Sequence, residues 1–184
     1  MSRQYFTGQD YWDFPATNSA AISSFTTTTN LWTVNAYATY IPAYDLRAGK
    51  GWILYFGGSL SATSGSTLLW SAYFGGSTTF TSNLAMGTSG AATLPALTNA
   101  PFSGWFVFGC RAASIAASSS SIVGHGQVYA EATITSKTLW GFGGVVVTTA
   151  DYTTAQGIVI AAAFSAATAS NSIQCSWAVL RSMN

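Results

Sequence analysis

The chain has 184 residues, of which 6% are charged, and its formal net charge is +1. An average soluble domain is about a quarter charged, so this chain lacks the electrostatic field that would gather nucleic acid or anionic lipid. The hydrophobic fraction of 49% and the aromatic fraction of 15% are ample for one folded domain. Because so few charges remain to keep copies apart, we expect much of the surface to be covered by other subunits.

Residues 1–30 form an aromatic and threonine-rich segment that differs from the rest of the chain. Five of its aromatic residues stand in a polar stretch without strand periodicity, namely Tyr5, Phe6, Tyr11, Trp12 and Phe14. Such a segment either packs over its own domain or reaches onto a neighbouring subunit as an arm. The low charge of the remaining chain favours the arm. We therefore expect residues 1–30 to form an anchor arm and residues 31–184 to form a single domain.

The N-terminal sequence MSRQYFTGQDYWDFP has no basic stretch followed by an apolar run, so we expect no secretory signal. A membrane helix needs about 20 apolar residues. The nearest candidate, residues 157–169, is shorter and is interrupted by serine and threonine. The sequence therefore predicts synthesis in the cytoplasm and no membrane partner.

From Trp32 onward the sequence has strand patterns and almost no helical pattern. β-branched and aromatic residues occur in short alternating runs separated by Gly, Ser, Asn and Pro. Strands are expected near residues 32–40, 52–56, 67–74, 78–80, 91–94, 102–111, 123–134, 139–148, 157–164 and 172–181. Roughly eight to ten short strands with turn signals between them predict an all-β fold of the sandwich or barrel type.

Two strands have a pattern that assigns each side chain to a face, because neighbouring residues of a strand point to opposite sides. In the strand at 102–111 one face holds Phe102, Phe106, Phe108 and Cys110, and the other holds Trp105 and Val107. In the last strand the expected inward set is Ile173, Cys175, Trp177 and Val179. Cys110 and Cys175 therefore both lie in apolar strands, and we interpret them as buried thiols, not as a disulfide framework.

No residue pattern indicates catalysis. The single histidine, His125, lies between two glycines, and no Gly-x-Ser-x-Gly motif accompanies it. We interpret His125 as a strand residue whose neighbours permit a close backbone approach. Asp10 and Asp13 could mimic a glycosidase pair, but their aromatic setting favours solvated charges or subunit contacts. One histidine and two distant cysteines cannot form a zinc site, so we expect no enzyme, no metal and no cofactor.

Residues 51–137 carry a series of segments that resembles structural proteins of tailed bacteriophages, especially those of actinobacterial hosts. The segments are a Thr/Leu strand ending in Gly-Gly (66–76), TLPALTNAPF (93–102), an aromatic strand ending in Cys-Arg (105–111) and VGHGQVY (123–129). The resemblance covers about half the chain and concerns strand and turn patterns. It implies a jelly-roll-like antiparallel β-sandwich that trimerises and serves as a capsid decoration, minor capsid or tail component.

We therefore expect a structural protein of the virion, and within that class a capsid decoration (cement) protein that forms homotrimers and stabilises the phage capsid. Its partners would be its own copies and the major capsid protein or other virion proteins. The alternative is a tail-fibre or spike module that binds host surface glycans. Seven tryptophans and nine tyrosines supply aromatic rings on which sugars could stack.

Overall fold

The structure, a computed structural model, describes residues 10–13, 21–32, 40–76, 82–112, 120–133, 136–148 and 153–183. Over these residues the chain forms two antiparallel sheets packed on one hydrophobic core. This arrangement confirms the predicted all-β sandwich. In the same ranges, no helix has the length and apolar character needed to cross a membrane.

Thirteen strands build the two sheets of the described chain. They are β1 (Asp10–Asp13), β2 (Ile22–Ser23), β3 (Thr29–Asn30), β4 (Tyr40–Ile41), β5 (Gly51–Ala62), β6 (Thr67–Gly75), β7 (Leu84–Thr88), β8 (Ala92–Thr93), β9 (Leu97–Ala112), β10 (Ser120–Thr133), β11 (Ser136–Thr148), β12 (Gln156–Phe164) and β13 (Ser172–Ser182). Seven of them lie at expected positions but extend further than the short strands expected, because turn-type residues such as Gly58 and Pro101 continue in the ladder.

The seven-stranded sheet has the order β1-β13-β5-β9-β10-β11, and β2 also pairs with β13. The six-stranded sheet has the order β3-β12-β6-β7, with β4 paired to β12 and β8 paired to β6. Consecutive strands cross between the sheets from β5 to β6 and from β12 to β13, while β9, β10 and β11 form a meander. The long strands of the seven-stranded sheet thereby make one broad surface on the side away from the core.

The described parts of residues 1–30 pair with strands of the sandwich. β1 runs antiparallel to residues 178–181 of β13, β2 also pairs with β13, and β3 pairs with β12. Tyr11 and Trp12 belong to β1, whereas the other predicted anchors, Tyr5, Phe6 and Phe14, lie outside the described residues. The role of these five residues as an interface anchor stays a prediction.

Aromatic side chains from both sheets fill the core. Trp52 stacks on Phe108 with ring centroids 5.6 Å apart, and Trp70 meets Trp140 edge to face at 6.0 Å. The indole Nε1–H of Trp140 also donates a hydrogen bond to the carbonyl oxygen of Leu68 at 2.9 Å. Each aromatic pair contributes roughly 0.5–1.5 kcal/mol beyond the burial of its area. The contacts of Trp140 with Trp70 and Leu68 join the two sheets.

The glycines on either side of His125 make room for a core ring. A Cβ atom at Gly126 would lie 2.7 Å from Cδ2 of Phe106, and one at Gly124 would lie 2.8 Å from its Cε1. Any larger residue would collide with this ring. The predicted close approach at this motif is confirmed, and it leaves His125 on the opposite side of β10.

A β-bulge in β13 changes which side chains face the core. The register between β13 and β5 shifts between Cys175 and Trp177. Beyond this point Ala178 and Leu180 are the buried core residues, and the Trp177 ring lies over Gly57. The expectation that Trp177 points inward is therefore wrong, because one extra residue reverses the alternation. Val179 is buried, at 6% exposure, but it lies opposite Tyr55 and outside the core cluster.

The two cysteines match their predicted state. Cys110 and Cys175 are both buried, and no disulfide joins them. The sulfur of Cys175 lies at the bulge of β13, 3.3 Å from the carbonyl oxygen of Trp177. Both residues act as small apolar members of the core.

Candidate functional site

The seven-stranded sheet turns one side to the core and the other side outward. Alternation along β5, β9, β10, β11 and β13 assigns side chains and glycines to this second side, given the buried residues between them. We refer to its central part as the outer face, and we define it by Ile53, Tyr55, Ser103, Trp105, Val107, Val123, His125, Gln127, Tyr129, Leu139, Gly141, Gly143 and Trp177.

Strand register arranges the outer face in rows. One row crosses four strands through Tyr55, Trp105, Gln127 and Gly141. The next row crosses the same strands through Ile53, Val107, His125 and Gly143. Neighbouring strands are about 4.7–4.9 Å apart, so members of a row lie side by side on a nearly continuous surface.

Large apolar side chains remain accessible on the outer face. Leu139 is 61% exposed, Tyr55 is 40% exposed and Tyr129 is 39% exposed. Trp105 and Trp177 are half-buried. Such residues in one patch are unusual on a monomer, where exposed apolar residues are normally scattered, and they mark an interaction surface.

Two of the aromatic rings are held in place by their surroundings. Trp105 meets the His125 ring edge to face, with centroids 5.2 Å apart and an interplanar angle of 86°. The Trp177 ring covers the position where Gly57 lacks a side chain, since a Cβ there would lie 2.7 Å from its Cζ2. Rings fixed on strands lose little conformational entropy when a partner covers them.

Charged residues lie around the outer face, and among them Arg181 of β13 is exposed opposite Ile53. At the end formed by the β10–β11 hairpin, Lys137 and Glu131 form an ion pair of 2.8 Å. The hydrogen bond and charge of the Glu131 carboxylate raise the pKa of Lys137. At the other end, Lys50 pairs with Asp45. An uncharged aromatic centre with a polar rim is the arrangement typical of protein interfaces.

An open groove lies at the end of the outer face near Lys50. Its volume is about 580 Å³. Its lining includes Gly51, Gly109, Arg111, Val123, His125 and Met183. At Gly109 the lining consists of backbone alone, and a Cβ there would have no neighbour closer than 3.6 Å. This end can therefore receive a protruding side chain from a partner.

The chemistry offered by the outer face is contact and hydrogen bonding. Over the described residues, no group of three His, Cys, Asp or Glu side chains is placed to hold a metal ion. The aromatic neighbour of His125 is Trp105, and the amide of Gln127 is exposed beside the same ring. These groups suit the binding of another surface or of a polar ligand.

Sequence reasoning identified part of this site. It placed Trp105 and Val107 on the side of β9 away from the core, and the structure confirms both. It did not assign Tyr55, Tyr129 and Leu139 to a common face. Alternation along β5 and β10 could have marked Tyr55 and Tyr129 as outward. Whether they lie on the same surface depends on the order of the strands in the sheet.

No family model and no curated protein matches the chain. Two solved structures are similar to it at a distance. A chain in the structure of infectious bursal disease virus Gt strain has a TM-score of 0.39 and 12% identity over 97% of this protein, which spans 34% of that chain. The CBM2 module of the evolved Dit of Lactobacillus casei BL23 phage J-1 has a TM-score of 0.31 and 8% identity, with coverage of 95% and 96%. Similarities at this level carry no argument about function.

Proposed function

We propose that this protein is a structural protein of a virion, and that it acts as a capsid decoration protein whose outer face packs against other subunits. The observation that carries the proposal is the exposed aromatic and apolar centre of the outer face. Tyr, Trp and Met are enriched in the cores of protein interfaces, and Lys, Glu and Asp are depleted there. The outer face follows this composition, with its ion pairs confined to the margins.

The resemblance of residues 51–137 to phage structural proteins supports the virion as the location. In the proposed role, homotrimers bury their uncharged surfaces and hold neighbouring capsid subunits together. The function is mechanical, and it assigns no reaction to His125 or to any other residue. Contacts without charge are little weakened by salt, which suits a particle that passes between different media.

The experiment places a charge at the centre of the outer face. Tyr55 is 40% exposed, so Tyr55→Asp leaves the domain folded while a carboxylate would be buried in the assembled interface. We expect this variant to sediment more slowly than the wild-type protein at micromolar concentration. The matched control is Tyr44→Asp in the turn before β5, where Tyr44 is 59% exposed and belongs to no strand of the outer face.

A second measurement links assembly to the particle. Capsids prepared without this protein are mixed with wild-type protein or with the Tyr55→Asp variant, and their thermal disruption is followed. The wild-type protein should bind and raise the disruption temperature, and the variant should do so less. A wild-type protein that stays monomeric and does not bind capsids would contradict the proposal, as would a Tyr55→Asp variant that assembles as tightly as wild type.

A second candidate function is binding of host glycans as part of a tail fibre or spike. It is favoured by the exposed Gln127 amide and His125 imidazole beside Trp105 and Tyr129, which pair hydrogen-bonding groups with aromatic rings. Pyranose rings stack on aromatic side chains through their C–H faces, and their hydroxyl groups bond to amides. Calorimetry with host cell-wall oligosaccharides separates the two functions. Binding that is lost in both Trp105→Ala and Gln127→Ala would favour the glycan module.

A further inference from the structure

The seven-stranded sheet ends on one side in an unusually long strand. β11 has 13 residues and pairs with β10, and no other described strand pairs with it. The other strands at sheet edges are short, from two residues in β2, β3, β4 and β8 to five in β7. Short edge strands limit the addition of further strands, and long ones act as templates for it. β11 is thus the exception among the described edges.

β11 has few of the devices that protect natural sheet edges. Apart from Lys137 near its start, it contains no charged residue and no proline. Its register with β10 runs unbroken from Thr148 to Lys137. Gly141, Gly143 and Gly144 are exposed and carry no side chain, although β7 lies close to Gly143, where a Cβ at Gly87 would be 2.7 Å from its Cα. The edge therefore presents accessible backbone at these glycines, on a strand whose residues 138–148 are neutral.

We propose that β11 pairs antiparallel with β11 of a second copy about a two-fold axis, and so joins two seven-stranded sheets edge to edge. In this arrangement the outer faces of the two copies lie on the same side of the joined sheet, and their core-facing sides lie on the other side. Because residues 138–148 carry no charge, no like-charge repulsion opposes the self-pairing. The exposed Leu139 gains a neighbour across the seam.

The length of β11 is sufficient for a stable contact. An antiparallel ladder supplies about one hydrogen bond per residue over its length, and a typical interface contains about ten direct hydrogen bonds. A two-fold contact is closed and does not continue into fibres. Since the seam and the centre of the outer face use different residues, β11 pairing would link neighbouring trimers. It goes beyond the proposed function and is tested separately from it.

The test is chemical cross-linking of a cysteine placed on β11. A Cβ at Gly141 would have no atom within 4 Å, so Gly141→Cys is compatible with the fold, while the native cysteines are buried. The variant is also made in the Tyr55→Asp background, where assembly through the outer face is weakened. With a short bismaleimide, we expect most of the protein to become a covalent dimer in both backgrounds.

The matched control is Thr98→Cys on β9, an exposed site two strands away in the same sheet. Across the proposed seam its two copies lie more than roughly 20 Å apart, so we expect no dimer. If Gly141→Cys yields no dimer, β11 pairing is wrong, whatever the sedimentation of Tyr55→Asp shows. A dimer that disappears in the Tyr55→Asp background would also overturn it, because the contact would then belong to the outer face.

Discussion

Phe106 is a fully buried core residue of β9, and its packing affects residues on both faces of the seven-stranded sheet. Its ring stacks on Phe142 with centroids 5.4 Å apart and occupies the space left by two glycines of β10. His125 lies between these glycines and contacts Trp105 on the outer face. The packing of Phe106 therefore helps to position His125, and with it the ring contact between His125 and Trp105 on the outer face.

Replacing this ring tests the arrangement. Phe106 is fully buried, and we expect Phe106→Ala to lower the free energy of unfolding by about 3–5 kcal/mol, because it opens a cavity. The neighbouring Trp105→Ala, on the half-buried outer side, should cost clearly less. Urea unfolding followed by circular dichroism measures both. Equal losses, or an unchanged midpoint for Phe106→Ala, would contradict the placement of Phe106 in the core.

The strand positions could be predicted from the sequence because alternation is strict within them. Phe102, Phe106 and Phe108 face inward as their spacing indicates. The orientation of Trp177 could not be predicted, because a β-bulge changes the strand register without a recognisable signal in the order of apolar and polar residues. Tyr55 and Leu139 share a face only through the order of the strands, which local patterns do not contain. Function, trimerisation and the anchor role of residues 1–30 remain proposals.

At the scale of elements, the bulge in β13 decides which side chains enter the core. Ser176 is the extra residue, so deleting it would leave Trp177 opposite Gly57 and Ala178 opposite Phe56, with the same side chains facing the core. Deleting Ala178 instead would slip the rest of β13 by one residue and move Leu180 away from the core. We expect the Ser176 deletion to melt close to wild type in calorimetry and the Ala178 deletion to melt far below it.

The control for this prediction is Ser176→Ala, which keeps the bulge and its register. It should have little effect on the melting temperature, because Ser176 is only partly buried. A Ser176 deletion that melts as far below wild type as the Ala178 deletion would contradict this account of the bulge.

At the scale of the whole molecule, the low charge content governs how assembly responds to salt. The two described ion pairs, Lys50 with Asp45 and Lys137 with Glu131, are internal to one chain. From about 0.1 M to about 1 M salt the Debye length falls from about 10 Å to about 3 Å. We expect the distribution of oligomers in sedimentation velocity to stay nearly constant over this range. Dissociation at high salt would mean that charged contacts dominate the interface.

The pairing of β5 has a consequence for the synthesis of the protein. β5 ends at residue 62, and its neighbour β13 begins only at residue 172. While the ribosome translates the residues between them, one edge of β5 has no partner strand from this sheet. Sheets built from such distant segments form slowly, and exposed strand edges in incomplete chains aggregate. We therefore expect nascent chains of this protein to need protection, for example by chaperones, until β13 has been made.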